Sequence, residues 1–131
     1  MLLSDVKDWL KNLNTKFDNY FIGKLDTSKD DSLGIYNLRG SGNPYIALGG
    51  LDCTGYEIKR ISLLIHVDKN ANNTEKKAHE LFEELLELDS FMLGEYKVKF
   101  IGLLVPEPQS IGTDNNGVYE YVIEFEIYYE R

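Results

Sequence analysis

The 131-residue sequence has one cysteine, three prolines and no long hydrophobic run. The single cysteine, Cys53, cannot form an intrachain disulfide; it says little about the compartment but fits a reducing one. No apolar run approaches the ~20 residues that a membrane span needs. Residues 1–5 lack the basic region and the apolar core of a secretory signal. We therefore expect a soluble, cytosolic protein with no membrane partner.

Positive charge is also scarce. Fourteen Lys and Arg against 22 Asp and Glu give a formal net charge of −8. A general nucleic-acid binder needs a basic surface to replace phosphate counterions, and docking on anionic lipid needs the same, so both are excluded. A hydrophobic fraction of 43% excludes intrinsic disorder. The length predicts a single domain over residues 1–131, with a core that needs neither disulfide nor metal.

Histidines are few, and the catalytic patterns are incomplete. Cys53, His66 and an acid could form a nucleophile–base set, but nothing in their spacing requires it, and an incidental cysteine is the simpler interpretation. The segment beginning at His79 resembles the start of a zinc-protease helix, yet position 83 is Glu83 rather than a second histidine. With two histidines and no cysteine pair, no tetrahedral metal site is expected.

Two further loop motifs have ordinary explanations. The segment 40–42, Gly-Ser-Gly, lacks the third glycine of a dinucleotide loop and the Lys-Ser/Thr ending of a P-loop. The segment 114–117, Asp-Asn-Asn-Gly, lacks the ligand spacing of a calcium loop and is explained by turn formation. We therefore predict a non-enzyme with no catalytic residue, no cofactor and no metal.

Apolar periodicity predicts two helices. The first covers residues 4–13, with Ser4 as N-cap and Val6, Trp9 and Leu10 on its buried face. The second covers residues 74–88, with Asn73 or Thr74 as N-cap. Its apolar stripe faces the core and its glutamates face water.

Five strands are predicted around these helices. Residues 20–25 and 33–38 form a hairpin, and residues 56–67 form a long central strand. Residues 96–105 and 118–129 form a second hairpin. Pairing Val105 with Val118 would place Lys99 opposite Glu124 and Lys97 opposite Glu126.

The resulting order is α-β-β-β-α-β-β. This order predicts an α+β fold, a single-domain α/β sandwich whose mixed or antiparallel sheet carries both helices on one face.

Two long segments, 39–55 and 106–117, connect these strands. They carry apolar residues, which disordered loops lack, so we expect them to be ordered and covered by the same or a neighbouring subunit. The final strand alternates, with Glu120, Glu124 and Glu126 on one face. That row has three interpretations: a solvated face balanced by Lys97 and Lys99, a paired-carboxylate site, or a channel lining that repels DNA.

Five segments carry a family resemblance that covers nearly the whole chain. They are GIYNLR at 34–39, PYIALGG at 44–50, YEIK at 56–59, PQSIGTDNNG at 108–117 and YYER at 128–131. The sequence resembles small phage and prophage minor capsid or tail-terminator proteins from viruses of low-GC Gram-positive bacteria.

The resemblance implies a small α/β sandwich without enzyme chemistry, in a hexameric ring at the head–tail junction of a virion assembled in the bacterial cytoplasm. Such a ring caps the tail tube, ends its growth and docks to the head connector. Its implied partners are therefore further copies of itself, the tail-tube protein and the head-completion or connector protein, with DNA only in passage.

The family has no short signature of binding residues, so loop length and apolar content select the candidates. A ring requires self-complementary heterologous contacts. The oligomer-interface candidates are Tyr45, Ile46, Leu48, Leu51, Pro108 and Ile111. The candidates for the lining of a lumen are Glu120, Glu124 and Glu126.

Two alternatives remain open at the level of sequence. One is a monomeric acidic protein-binding or regulatory module that masks a basic partner; its binding would weaken with salt. The other is a small hydrolase that uses Cys53 or His66.

Overall fold

The computed structural model describes residues 1–39, 44, 46–50 and 55–131. The elements of the described chain follow in order: α1 (Leu3–Leu10), β1 (Asn19–Ile22), β2 (Ser32–Asn37), β3 (Tyr56–His66), α2 (Ala71–Leu86), β4 (Phe91–Leu93), β5 (Tyr96–Leu103), β6 (Gln109–Thr113) and β7 (Tyr119–Glu130). The predicted α+β class and its order are confirmed, with β4 and β6 as two additional short strands.

The strands form one mixed sheet in the order β1-β2-β3-β7-β5-β4. β3 and β7 are central, as predicted for β3, and pair antiparallel over their whole lengths. The other edge of β7 is shared: β6 pairs with its first residues and β5 with its last. Only β1 and β2 run parallel in the described sheet.

Both helices pack on one face of this sheet, as predicted. α1 contributes Val6, Trp9 and Leu10, and the Trp9 ring stacks on Phe91 at 5.1 Å and meets Phe125 edge-on at 6.4 Å. The fully buried side chains of the two central strands come from alternating positions, as a period of two requires: Ile61, Leu63, Ile65, Ile123, Phe125 and Ile127. Each such side chain contributes about 1.5–3 kcal/mol by burial.

Both helices begin earlier than predicted. α1 starts at Leu3, and the carboxylate of Asp5 accepts a hydrogen bond from the Leu2 N–H at 2.7 Å, so an acid inside the first turn replaces the predicted Ser4 cap. α2 starts at Ala71, because Asn70 accepts from the N–H groups of Asn72 and Asn73. The N-cap of α2 is therefore Asn70, and the predicted cap at Asn73 or Thr74 is wrong.

The predicted first hairpin is wrong, because β1 pairs with β2 in parallel, Tyr20 opposite Leu33. Gly23 ends β1 in a left-handed conformation, φ 71°, which glycine adopts without a steric cost. The chain then returns past the start of β1, where the Asp18 and Asn19 N–H groups both donate to the Asp31 carbonyl. β2 therefore begins beside the beginning of β1.

The predicted hairpin at the C-terminal end is also wrong, in connection and in register. The predicted loop contains β6, which takes the edge of β7 from Tyr119 to Val122. β5 is consequently displaced along β7, with Gly102 opposite Glu126 and Leu103 opposite Phe125. This offset separates Lys97 and Lys99 from their predicted partners, and Lys97 Nζ instead lies 3.8 Å from Glu130 Oε1.

Candidate functional site

The sheet face opposite the helices is the principal candidate surface, and we name it the open sheet face. It consists of the residues of β3 and β7 that alternate with the buried core positions. Its residues are Tyr56, Ile58, Arg60, Ser62, Leu64, His66, Glu120, Val122, Glu124, Glu126 and Tyr128. Both helices pack on the other side, so neither covers this face. Its character changes along the strands from aromatic, through charged, to buried polar.

The three predicted acids, Glu120, Glu124 and Glu126, all lie on the open sheet face, as their alternation required. Their partners differ from the prediction. Arg60 Nε donates to Glu126 Oε2 at 2.8 Å, and His66 Nδ1 lies 3.0 Å from Glu120 Oε2. The side chains of Glu120 and Glu126 are each only 13% exposed. The charge of Glu126 is therefore balanced by Arg60 of β3, rather than by a lysine of β5.

An aromatic cluster, Tyr56, Phe100 and Tyr128, forms one end of the open sheet face. The Phe100 and Tyr128 rings stack at 4.2 Å, and Tyr56 lies 5.9 Å from Tyr128. A bulge in β5 between Val98 and Phe100 turns Phe100 toward this face. Phe100 remains 49% exposed. The sequence does not predict this cluster, because the position of Phe100 beside Tyr128 depends on the register of β5. The consecutive tyrosines 128 and 129 were a usable signal, since neighbouring residues of a strand place one ring on each face of the sheet.

Gly102, two residues after Phe100 on β5, leaves room for the stacked rings. A Cβ at Gly102 would lie 3.3 Å from Cε1 of Tyr128, tighter than an ordinary contact. On the neighbouring strand, Tyr36 also belongs to this side of the sheet, opposite Ser62. Burial raises the pKa of Tyr36 above its ordinary value. The face is therefore a packed surface with partly buried phenols.

The predicted interface residues separate into three groups. Ile46 is exposed and Leu48 is fully exposed. Leu48 belongs to a turn in which the Gly50 N–H donates to the Ala47 carbonyl. Ile111 lies on β6 and is 55% exposed, whereas Pro108 is buried inside the subunit. Tyr45 and Leu51 lie outside the described residues. The structure thus presents Ile46, Leu48 and Ile111 as accessible apolar side chains.

A buried polar cluster closes the other end of the open sheet face. His66, at the end of β3, meets Glu120 at 3.0 Å and Asp114 Oδ2 at 3.7 Å. Asp114 Oδ1 accepts from the N–H groups of Asn116 and Val118, which confirms turn formation over 114–117. Sequence reasoning considered His66 and Asp114 separately, because 48 positions divide them and only the sheet register unites them.

The remaining sequence candidates are dispersed. His79 lies on α2 beside Glu80 and Glu83, on the polar side of that helix. Cys53 and the segment 40–42 lie outside the described residues. No described helix is both long enough and apolar enough to cross a membrane.

The fold and the open sheet face define a class: a small α+β protein with a single mixed sheet, two helices on one face and a partly aromatic, partly charged surface on the other. The chain belongs to the Bacteriophage tail terminator protein family, whose sequence model matches residues 4–131. A search of curated proteins found no match. The predicted resemblance to tail-terminator proteins is confirmed, and the chain is a structural component of a phage virion that contacts other virion proteins.

Proposed function

We propose that this chain is one subunit of a hexameric ring that caps the tail tube, ends its growth and docks to the head connector. Family membership over residues 4–131 is the observation that carries the proposal. In it, residues 1–131 act as one tail-terminator domain without catalytic chemistry. The ring assembles in the cytoplasm of a low-GC Gram-positive host and stays at the head–tail junction.

Two separate accessible surfaces support a ring. Neighbours in a ring meet through different patches, so each subunit needs two complementary surfaces. One is the loop that carries Ile46 and Leu48, together with Tyr45 and Leu51 of the same segment. The other is β6, which carries Ile111, follows Pro108 and is exposed along its length. An exposed edge strand has unpaired backbone groups that accept another chain.

The acidic residues support a passage for DNA. We assign Glu120, Glu124 and Glu126 to the lumen wall, because a surface of like charge to DNA does not retain it. Glu124 has no hydrogen bond or ion pair to its side chain within the described chain, so it would contribute the least compensated charge of the three. The net charge of −8 on each subunit would also repel DNA.

Native mass spectrometry and electron microscopy of the purified protein, alone and with the tail-tube protein, test the ring. We expect a closed hexamer. Leu48→Glu and Ile111→Glu should each lower the ring population about ten-fold, since a charge buried in an apolar contact is costly. The control is Leu86→Glu on the exposed side of α2, a residue that is 58% exposed and outside both patches.

Two results would contradict the proposal at different levels. A monomer under all conditions, even with the tail-tube protein present, would overturn the ring itself. A ring that tolerates Leu48→Glu and Ile111→Glu as well as it tolerates Leu86→Glu would overturn the interface and leave the ring intact.

A further inference from the structure

We infer that His66, Asp114 and Glu120 form a binding site for one divalent transition-metal ion, Zn²⁺ in the first instance. The three residues come from three different parts of the chain. The β3–β7 register places His66 opposite Glu120. The turn that follows β6 then brings Asp114 to the same point.

The spacing of the three ligand atoms fits a small cation. His66 Nδ1 lies 3.0 Å from Glu120 Oε2 and 3.7 Å from Asp114 Oδ2, and all three side chains offer atoms within 4.8 Å of one another. A zinc ion about 2.1 Å from each of its ligands holds tetrahedral ligand pairs about 3.4 Å apart. The two measured distances lie on either side of that value.

An unpartnered oxygen independently points to a ligand. Asp114 Oδ2 is buried and has no hydrogen-bond partner among the described residues, and the whole side chain is 8% exposed. Its other oxygen is held by the Asn116 and Val118 N–H groups. The carboxylate is therefore fixed, and Oδ2 is directed at His66 Nδ1. A buried carboxylate oxygen without a partner is costly, and a coordinated cation removes that cost.

A proton on His66 is the simpler alternative, and it satisfies less of the cluster. A ring N–H at Nδ1 would reach Glu120 Oε2 at 3.0 Å, while the 3.7 Å to Asp114 Oδ2 exceeds a hydrogen bond. Even a doubly protonated ring leaves two carboxylates beside one positive charge. A divalent cation balances both carboxylates and uses Oδ2, Oε2 and Nδ1 together, so that of the two buried unpartnered atoms of the cluster it satisfies Asp114 Oδ2 and leaves His66 Nε2.

The donor set selects the type of metal. One imidazole nitrogen with two carboxylate oxygens is a set that zinc accepts, whereas Ca²⁺ and Mg²⁺ prefer oxygen ligands alone. Three protein ligands leave one position for water. His66 is fully buried, so the ion would be held inside the subunit, where it ties the end of β3 to the β6–β7 turn and the start of β7.

The test uses the full chain after treatment with a chelator. Calorimetric titration with Zn²⁺ should show one equivalent bound per chain, with a rise in Tm because the ion binds the folded state. Asp114→Asn and Glu120→Gln keep the hydrogen-bond acceptors and remove a ligand charge; each should weaken binding at least about ten-fold. The control is His79→Gln, which removes the other histidine of the chain and should bind Zn²⁺ like the parent.

A second measurement needs no variant. Co²⁺ in place of Zn²⁺ should give the visible absorption of a four-coordinate site with nitrogen and oxygen ligands, and added Zn²⁺ should abolish it. The inference is overturned if Zn²⁺ does not bind, if binding survives both Asp114→Asn and Glu120→Gln, or if His79→Gln removes it. A failure of Zn²⁺ binding leaves the proposed ring standing, because the three ligands belong to one subunit and none of them is an interface candidate; Glu120 alone is also assigned to the lumen wall, so Asp114→Asn tests the metal site without changing that wall.

Discussion

At the scale of single residues, Tyr129 joins the core to an ion pair. Its ring is buried at 6% exposure, and its hydroxyl donates to Glu57 Oε2 at 2.8 Å. The other oxygen of Glu57 accepts from Arg131 at 2.8 Å. Burial, followed by the neighbouring Glu57 carboxylate, raises the pKa of Tyr129 well above its usual range. The phenol is thus held neutral in the folded protein.

This shift predicts a loss of stability in alkali. An unfolded tyrosine ionises near pH 10. Because the folded pKa is higher, the stabilisation is complete below about pH 10 and falls as the pH rises above it, by up to ~1.4 kcal/mol per pH unit for one group. Tyr129→Phe should make the free energy of unfolding fall less steeply, as measured by urea denaturation between pH 8 and 11.5.

Other tyrosines also contribute to the loss of stability at high pH. The pKa values of Tyr20, Tyr36 and Tyr121 are also raised, so the variant keeps part of the slope. Below pH 9 the curves of parent and variant should run parallel, offset by the ~1 kcal/mol of a lost hydrogen bond. Equal slopes above pH 10 would show that Tyr129 does not contribute.

At the scale of elements, α2 depends on its cap. Its first turn carries no acid, so the N-terminal N–H groups rely on Asn70, whose side chain accepts from Asn72 at 3.0 Å and Asn73 at 3.3 Å. Asp68 in turn accepts from the Asn70 N–H at 2.8 Å and from the Asn73 side chain at 3.0 Å. The helix start is a network of short polar side chains.

Asn70→Ala should therefore destabilise the protein by about 1 kcal/mol, within the ~0.5–2 kcal/mol that loss of a cap costs. Asn70→Asp keeps an acceptor and should retain most of the stability. Asn72→Ala is the matched control, since within the described chain the Asn72 side chain forms no hydrogen bond. Thermal unfolding followed by circular dichroism measures all three, and equal losses for Asn70→Ala and Asn72→Ala would refute the cap.

The strands show which elements a sequence can and cannot predict. The alternation that buries Ile61, Leu63 and Ile65 is visible in β3 itself, and the same holds for β7. β6 has no apolar alternation and is exposed throughout, so only its pairing with β7 identifies it as a strand. β4 is three residues long and has too few positions to show a period.

At the scale of the whole molecule, charge should govern assembly. Subunits of net charge −8 repel one another, and salt screens that repulsion. If the proposed ring forms, its population should rise as ionic strength increases from about 0.02 M to 0.5 M, measured by analytical ultracentrifugation. A monomeric module that binds a basic partner would behave in the opposite way, losing its complex with salt. A ring that dissociates with added salt would contradict apolar contacts through Leu48 and Ile111.

The candidate sites were only partly predictable, for a definite reason. That Glu120, Glu124 and Glu126 share a face follows from their spacing within one strand. That Arg60 neutralises Glu126, and His66 meets Glu120, follows from the register between strands about 60 residues apart. The predicted pairing of β5 with β7 is displaced along β7 from the observed one, so every predicted partner between these two strands is wrong. Each of the two strands is nevertheless identified correctly.

The sequence alone determined the two helical faces, the central position of β3, the alternation of β7 and the acidic charge, because these depend on periods of 3.6 and two residues and on composition. The family was indicated by the resemblance of five segments to known phage proteins. The tertiary structure alone decided the parallel pairing of β1 with β2, the shared edge of β7 and the meeting of His66, Asp114 and Glu120. Those features depend on which distant segments compete for the same backbone hydrogen bonds, and that competition is resolved only when the whole sheet forms.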